Sequence, residues 1–155
     1  MALEHQTLQL SDGRVMGYAM YGSFSGQPIV VCHGTPGSRL MLRPADAAAK
    51  DLGLCIIAPD RPGYGLSSRR TNWQLSDWAE DVTALADALG FEHFAIVGIS
   101  GGAPFAFACS YQLPERIRLV AVISGLAPID KDEVVQSLDP QHLAASMHGA
   151  SVPAV

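Results

Sequence analysis

The segment Gly98-Ile99-Ser100-Gly101-Gly102 sets a serine among small residues, between the apolar run Phe94-Ala95-Ile96-Val97 and a stretch of helical character. In a sharp strand-to-helix turn such a serine is held in a strained backbone conformation with its hydroxyl clear of the sheet. Small residues two before and two after it let helix and strand approach, and Gly98 and Gly102 meet that need. The chemistry open to this hydroxyl is nucleophilic attack on a carbonyl. The positive end of the following helix favours the developing negative charge by about 0.3–1 kcal/mol. Pro104 is compatible with that helix, because a proline in the first turn forfeits no internal hydrogen bond. A glycine-rich turn without catalytic role would use the same residue types; the strand before, the helix after and two further loops favour the catalytic reading.

Acyl transfer also needs N–H donors for the oxyanion. His33-Gly34-Thr35-Pro36-Gly37-Ser38 follows the apolar run ending at Cys32, and a loop at the carboxyl end of a central strand is where α/β sheets place ligands. Pro36 has no N–H, so Thr35 is the candidate donor, with the backbone N–H of Gly101 as its partner. The His33 side chain is expected to hydrogen-bond backbone and to support the Gly34 turn rather than to act on substrate. A second loop, Asp60-Arg61-Pro62-Gly63-Tyr64-Gly65-Leu66-Ser67, has the glycine and proline content of a turn. The Asp60 carboxylate is expected to tie it down. Its role reads as architectural, with Tyr64 bordering the pocket.

These loops must be positioned by regular elements. Ser11-Asp12-Gly13 between Thr7–Leu10 and Arg14–Tyr21 predicts an antiparallel hairpin. Ile29–Cys32, Leu54–Ala58 and Phe94–Val97 are apolar without alternation, as strands covered on both faces are, and Ile117–Ile123 reads the same way apart from Arg118. Leu75, Trp78, Ala79, Val82, Leu85, Ala86 and Leu89 recur at helical spacing, with Asp77, Glu80, Asp81 and Asp87 off that face. Ser76 is the expected N-cap and Gly90 the stop. Weaker helical patterns cover Pro44–Leu52 and the stretch from Ser100 to about Gln112. Strand and helix alternating in this way predict a doubly wound, mainly parallel α/β sheet behind an N-terminal antiparallel hairpin. Residues 1–126 are expected to form this core. Residues 127–155 are more polar and are expected to begin a lid segment or to form a tail, with short helices around 134–138 and 141–147.

The composition excludes several classes. With 48% apolar and 16% charged residues the chain is of ordinary globular type, and a formal charge of −5 with scattered basic residues argues against nucleic acid or an anionic membrane as partner. Neither a signal-like start nor an apolar run of membrane-spanning length is visible. Cys32, Cys55 and Cys109 fall in predicted core elements, without a disulfide pattern or metal-ligand spacing. A cytoplasmic setting fits these features.

Together the H-G-x-P-G loop at 33–37, the D-x-P-G-x-G-x-S loop at 60–67 and the G-x-S-x-G turn at 98–102 resemble the α/β-hydrolase superfamily in order and separation. The resemblance implies a serine hydrolase with a Ser, acid, His triad, acting on a small ester-like substrate, usually without cofactor. Serine at residue 100 sets it apart from the dehalogenase and epoxide hydrolase branches, whose nucleophile is aspartate. Proline iminopeptidases are similar, but they usually carry glycine where Thr35 stands and a different second loop, so a carboxylesterase-like member is the nearer expectation. The family's acid and histidine come from later strands, so both are expected outside these 155 residues, with the fold incomplete at its C-terminus. Asp130 is the one acid placed where some members supply it. His142 and His148 have no preceding strand to hold them near Ser100. A fold of this kind without its later strands would leave the edge at 117–123 bare, which predicts self-association there. A non-catalytic ligand-binding or interaction module on the same fold is the competing reading.

Overall fold

The structure is a computed structural model that describes residues 2–125. Six strands form one sheet in the order β1-β2-β4-β3-β5-β6, with β1 Leu3–Gln9, β2 Val15–Gly22, β3 Gln27–Cys32, β4 Leu54–Pro59, β5 Phe94–Ile99 and β6 Ile117–Ile123. The hairpin β1–β2 is antiparallel and closes at the Asp12-Gly13 turn, where Gly13 takes φ 87° and Leu10 N–H donates to Arg14 O at 2.8 Å. Strand β2 pairs antiparallel with β4, and β4, β3, β5 and β6 run parallel. The mainly parallel sheet with a leading antiparallel hairpin is therefore present as the sequence pattern implies.

Parallel neighbours require crossovers, and three helices supply them: α1 Asp46–Asp51, α2 Trp78–Ala88 and α3 Ala103–Gln112. The sheet separates two apolar clusters. Met16, Val30, Ile57 and Ile96 pack on one face with Trp78, Val82 and Leu85 of α2 and Ala106 and Cys109 of α3. Ala19, Tyr21, Val31, Ile56 and Ala58 pack on the other with Ala49 of α1. Adjacent residues such as Val30 and Val31, or Ile56 and Ile57, thus point to opposite layers and are both buried, which is why these runs do not alternate in hydropathy. Each fully buried side chain of this size contributes roughly 1.5–3 kcal/mol.

Three sequence expectations are corrected. The helix around 75–89 is not capped by Ser76. It opens with a 3-10 turn, Leu75–Asp77, in which the Asp77 carboxylate accepts from Gln74 N–H at 2.9 Å, leaving Leu75 exposed. Asp81 does not stay off the buried face: it is 4% exposed, because Arg14 from the hairpin reaches across to it with both terminal guanidinium nitrogens. The Asp81 carboxylate in turn holds Arg14 well above its usual pKa. The helix expected from Pro44 begins regular α-geometry at Asp46 after a 3-10 stretch, Arg39–Ala45, which Ser38 caps by accepting from Leu40 N–H at 3.3 Å. The lid or tail expected over 127–155, with Asp130, His142 and His148, lies outside the described residues. Among the described residues no helix is long and apolar enough to cross a membrane.

Candidate active site

Strand β5 ends at Ile99, a 3-10 turn spans Ser100–Gly102, and α3 starts at Ala103. Ser100 sits in this corner with φ 50°, a left-handed conformation that a non-glycine residue holds only where its surroundings impose it. Those surroundings are close. A Cβ on Gly98 would lie 2.6 Å from Ala103 Cα, and one on Gly102 would lie 2.1 Å from Cys32 O, so neither position has room for a side chain. The glycine pair of the sequence motif is thereby explained: one lets α3 fold back on β5, the other lets it abut the end of β3. Ser100 itself is half-buried.

The loop after β3 faces this corner. A Cβ placed on Gly34 would lie 3.4 Å from Ser100 Cβ and 4.0 Å from Ser100 Oγ, and one placed on Gly101 would lie 3.4 Å from Thr35 N. Ser100, Gly101, Gly34 and Thr35 are thus brought together, with Thr35 exposed.

His33 is fully buried behind this loop. Its Nδ1 lies 2.9 Å from Gly34 O and its Nε2 accepts from Arg61 N–H at 3.3 Å. Burial, together with the nearby Arg61 charge, pushes its pKa down to about 4, so the ring is neutral at physiological pH. Both ring nitrogens are engaged by backbone, which makes it a strut rather than a base. Asp60 is also fully buried. Its carboxylate accepts from Arg39 N–H at 2.7 Å, from Arg39 Nη1 at 2.9 Å and from Leu66 N–H at 2.9 Å, tying the two loops together.

Sequence reasoning did not single out Arg39 or Arg61. Arg39 completes the buried pair with Asp60, 21 residues away, and Arg61 lies between the Tyr64 and Phe105 rings, 4.6 Å from each centroid. Tyr64 also packs on His33, with ring centroids 5.2 Å apart. The available signal was slight: a basic residue directly after Asp60, at the end of an apolar strand. Among the described residues no group of three or more His, Cys, Asp or Glu side chains is placed to hold a metal, and the three cysteines are free and buried.

Several known proteins are similar to this chain. The family model for the alpha/beta hydrolase fold matches residues 27–147. The chain is 31% identical over 100 residues to haloalkane dehalogenase 2 of Mycobacterium tuberculosis, covering 63% of this chain and 35% of that protein. It is 32% identical over 141 residues to a proline iminopeptidase of Clostridium botulinum, covering 86% and 47%. An esterase from Exiguobacterium antarcticum superposes with a TM-score of 0.70 at 25% identity, covering 80% of this chain and 46% of that one. The chain therefore spans less than half the length of each of these relatives.

Proposed function

The chain belongs to the alpha/beta hydrolase fold family, and on that premise we propose that the intact protein is a serine hydrolase of small carboxylic esters. The observation that carries the reading is the Ser100 corner, with φ 50° and the amide-bearing turn at 34–35 beside it. Ser100 Oγ attacks the ester carbonyl carbon, the carbonyl π pair moves onto oxygen, and the Thr35 and Gly101 N–H groups hold the resulting oxyanion. The serine proton passes to a histidine base and from it to the departing alkoxide; water then opens the acyl-enzyme by the same route in reverse.

Base and acid are assigned outside the described residues, since His33 spends both ring nitrogens on backbone and Asp60 is closed in by Arg39 and Leu66. Spans of 35% and 47% of the curated relatives support that placement. Asp130 lies where the acid arises in some similar hydrolases, and a later acid is the stronger assignment.

The nucleophile separates ester hydrolysis from the dehalogenase named among the relatives. Displacement of halide from a saturated carbon by a serine would give an ether, which has no carbonyl for water to attack, whereas an aspartate gives an ester that water reopens. An amide substrate, as the iminopeptidase relative suggests, needs the same serine and is the second choice. A fluorophosphonate probe is expected to label the intact protein, and Ser100→Ala to abolish both labelling and hydrolysis of p-nitrophenyl butyrate. A folded intact protein that takes up no probe would leave the non-catalytic binding module as the better account.

A further inference from the structure

Arg61 is a buried cation that the acyl-transfer scheme leaves without a task. It is 4% exposed, its Nε has no hydrogen-bond partner, and no carboxylate among the described residues pairs with it; the adjacent Asp60 is taken by Arg39. Burial lowers its pKa from the usual arginine value. A buried charge without a counter-ion is costly, and the two flanking aromatic faces offset only part of that cost. Phe105 is itself fixed by Trp73 and Trp78, at centroid distances of 5.7 and 6.0 Å, so the guanidinium has a rigid seat.

The side-chain hydrogen bonds of Arg61 all leave from Nη2 and all go to the turn that faces Ser100. Nη2 donates to Gly34 O at 2.9 Å and to Thr35 Oγ1 at 2.8 Å, and lies 3.4 Å from His33 Nδ1. A threonine hydroxyl has one hydrogen to donate and two lone pairs to accept with. Accepting from a cation fills one lone pair on Thr35 Oγ1, turns its own hydrogen away from Arg61 and makes that hydrogen a stronger donor. Thr35 as a residue is exposed. A Cβ on Gly101 would lie 2.8 Å from Thr35 Oγ1 and 3.4 Å from Thr35 N, so the hydroxyl and the amide of Thr35 border Gly101 together.

We propose that the Thr35 hydroxyl is a third donor to the oxyanion, and that Arg61 is the positioning residue that orients and polarises it. The proposal rests on the reading of Ser100 as an acyl nucleophile. It places a positive charge that no carboxylate among the described residues pairs with one hydroxyl behind the point where the substrate oxygen becomes negative. That gives the charge a role in the transition state that it lacks in the resting protein.

The test measures hydrolysis of p-nitrophenyl butyrate by the intact protein and its Thr35→Val, Thr35→Ser, Arg61→Met and Arg61→Lys variants, and by the Thr35→Val/Arg61→Met double variant. Thr35→Val should lower kcat about 100-fold with KM within threefold, as loss of an oxyanion donor does, and Thr35→Ser should restore most of it. Arg61→Met should lower kcat at least tenfold in the parent but by no more than about twofold when Thr35→Val is already present, since its effect is routed through the hydroxyl. Arg61→Lys, which keeps a charge and a donor, should fall between the parent and Arg61→Met; should Arg61→Met not fold, the Thr35 pair and Arg61→Lys decide. A Thr35→Val enzyme within threefold of the parent would overturn the proposal, as would a double variant whose loss is the product of the single losses. A folded parent that neither hydrolyses the ester nor takes up the fluorophosphonate probe overturns the acyl-transfer reading first, and this proposal with it.

Discussion

The turns after β3 and β4 and the strand β6 belong to one sheet and are held in opposite ways. Around residues 33–39 and 60–68 several buried or half-buried groups are polar and hydrogen-bonded: Asp60 to Arg39 and Leu66, His33 to Gly34 and Arg61, Ser67 to Gly17 and Asp60. Strand β6 is largely apolar and mostly exposed, with Leu119 at 57% and Ile123 at 53% exposure, and among the described residues it pairs with β5 alone. Hydropathy does not anticipate this, since Leu54–Ala58 and Ile117–Ile123 read alike as sequences. What differs is the neighbourhood. Strand β4 has β2 on one side, β3 on the other and a helical layer over each face, whereas β6 has, among the described residues, a neighbour on one side only. Polar groups in the first region are held by specific partners, Arg61 Nε excepted, and the exposed apolar side chains of the second contribute little to folding as they stand.

The sharpest way to break this contrast is at Asp60. Asp60→Ala leaves the Arg39 guanidinium buried without its anion and orphans the Leu66 amide, and should cost about 3–5 kcal/mol in urea unfolding of the intact protein. A cost below about 1 kcal/mol would mean that the polar region is not held as described. Next in size is acid. His33 is held neutral with its pKa at about 4, while in the unfolded chain it titrates near its ordinary value of 6.5. The unfolded state therefore takes up the proton first, and the stability present above pH 6.5 falls as the pH drops towards 4, with no further loss from this group below that. The span corresponds to about 3 kcal/mol, and unfolding curves collected between pH 7 and 4 should be flatter in His33→Asn. The smallest effect on folding is expected at the edge strand. In the 155-residue chain Leu119→Lys should change unfolding by no more than about 0.5 kcal/mol. It should nonetheless weaken the self-association that we propose for the 117–123 edge, read by sedimentation velocity. A chain that is monomeric before the substitution, or one that loses several kcal/mol on making it, would reverse the contrast.

Elements that depend on neighbours in sequence were legible. The Asp12-Gly13 turn follows from the conformational freedom of Gly13, the covered strands from unbroken apolar runs, and the Ser100 corner from glycines whose missing side chains are each needed for a contact. The buried charges were not. Arg14 meets Asp81 across 67 residues and Arg39 meets Asp60 across 21, and no local pattern tells a charged residue that will find such a partner from one that faces water. The helix start slipped for a related reason: Ser76 and Gln74 both stand where a cap can form, and the choice fell to Asp77, whose carboxylate closes on the Gln74 amide. In the candidate site, the nearness of the 34–35 turn to the Ser100 corner could be read from the glycines of the two loops, whereas the Arg61 side chain beside Thr35 could not.

The closeness of Gly102 to the end of β3 has a mechanical consequence. With Cys32 O where a side chain would otherwise stand, the start of α3 and the exit of β3 abut backbone to backbone, with no side chain between the Ser100 corner and the turn that begins at His33. A larger residue at 102 would have to part those two backbones, so its effect would be felt on both sides of the junction at once.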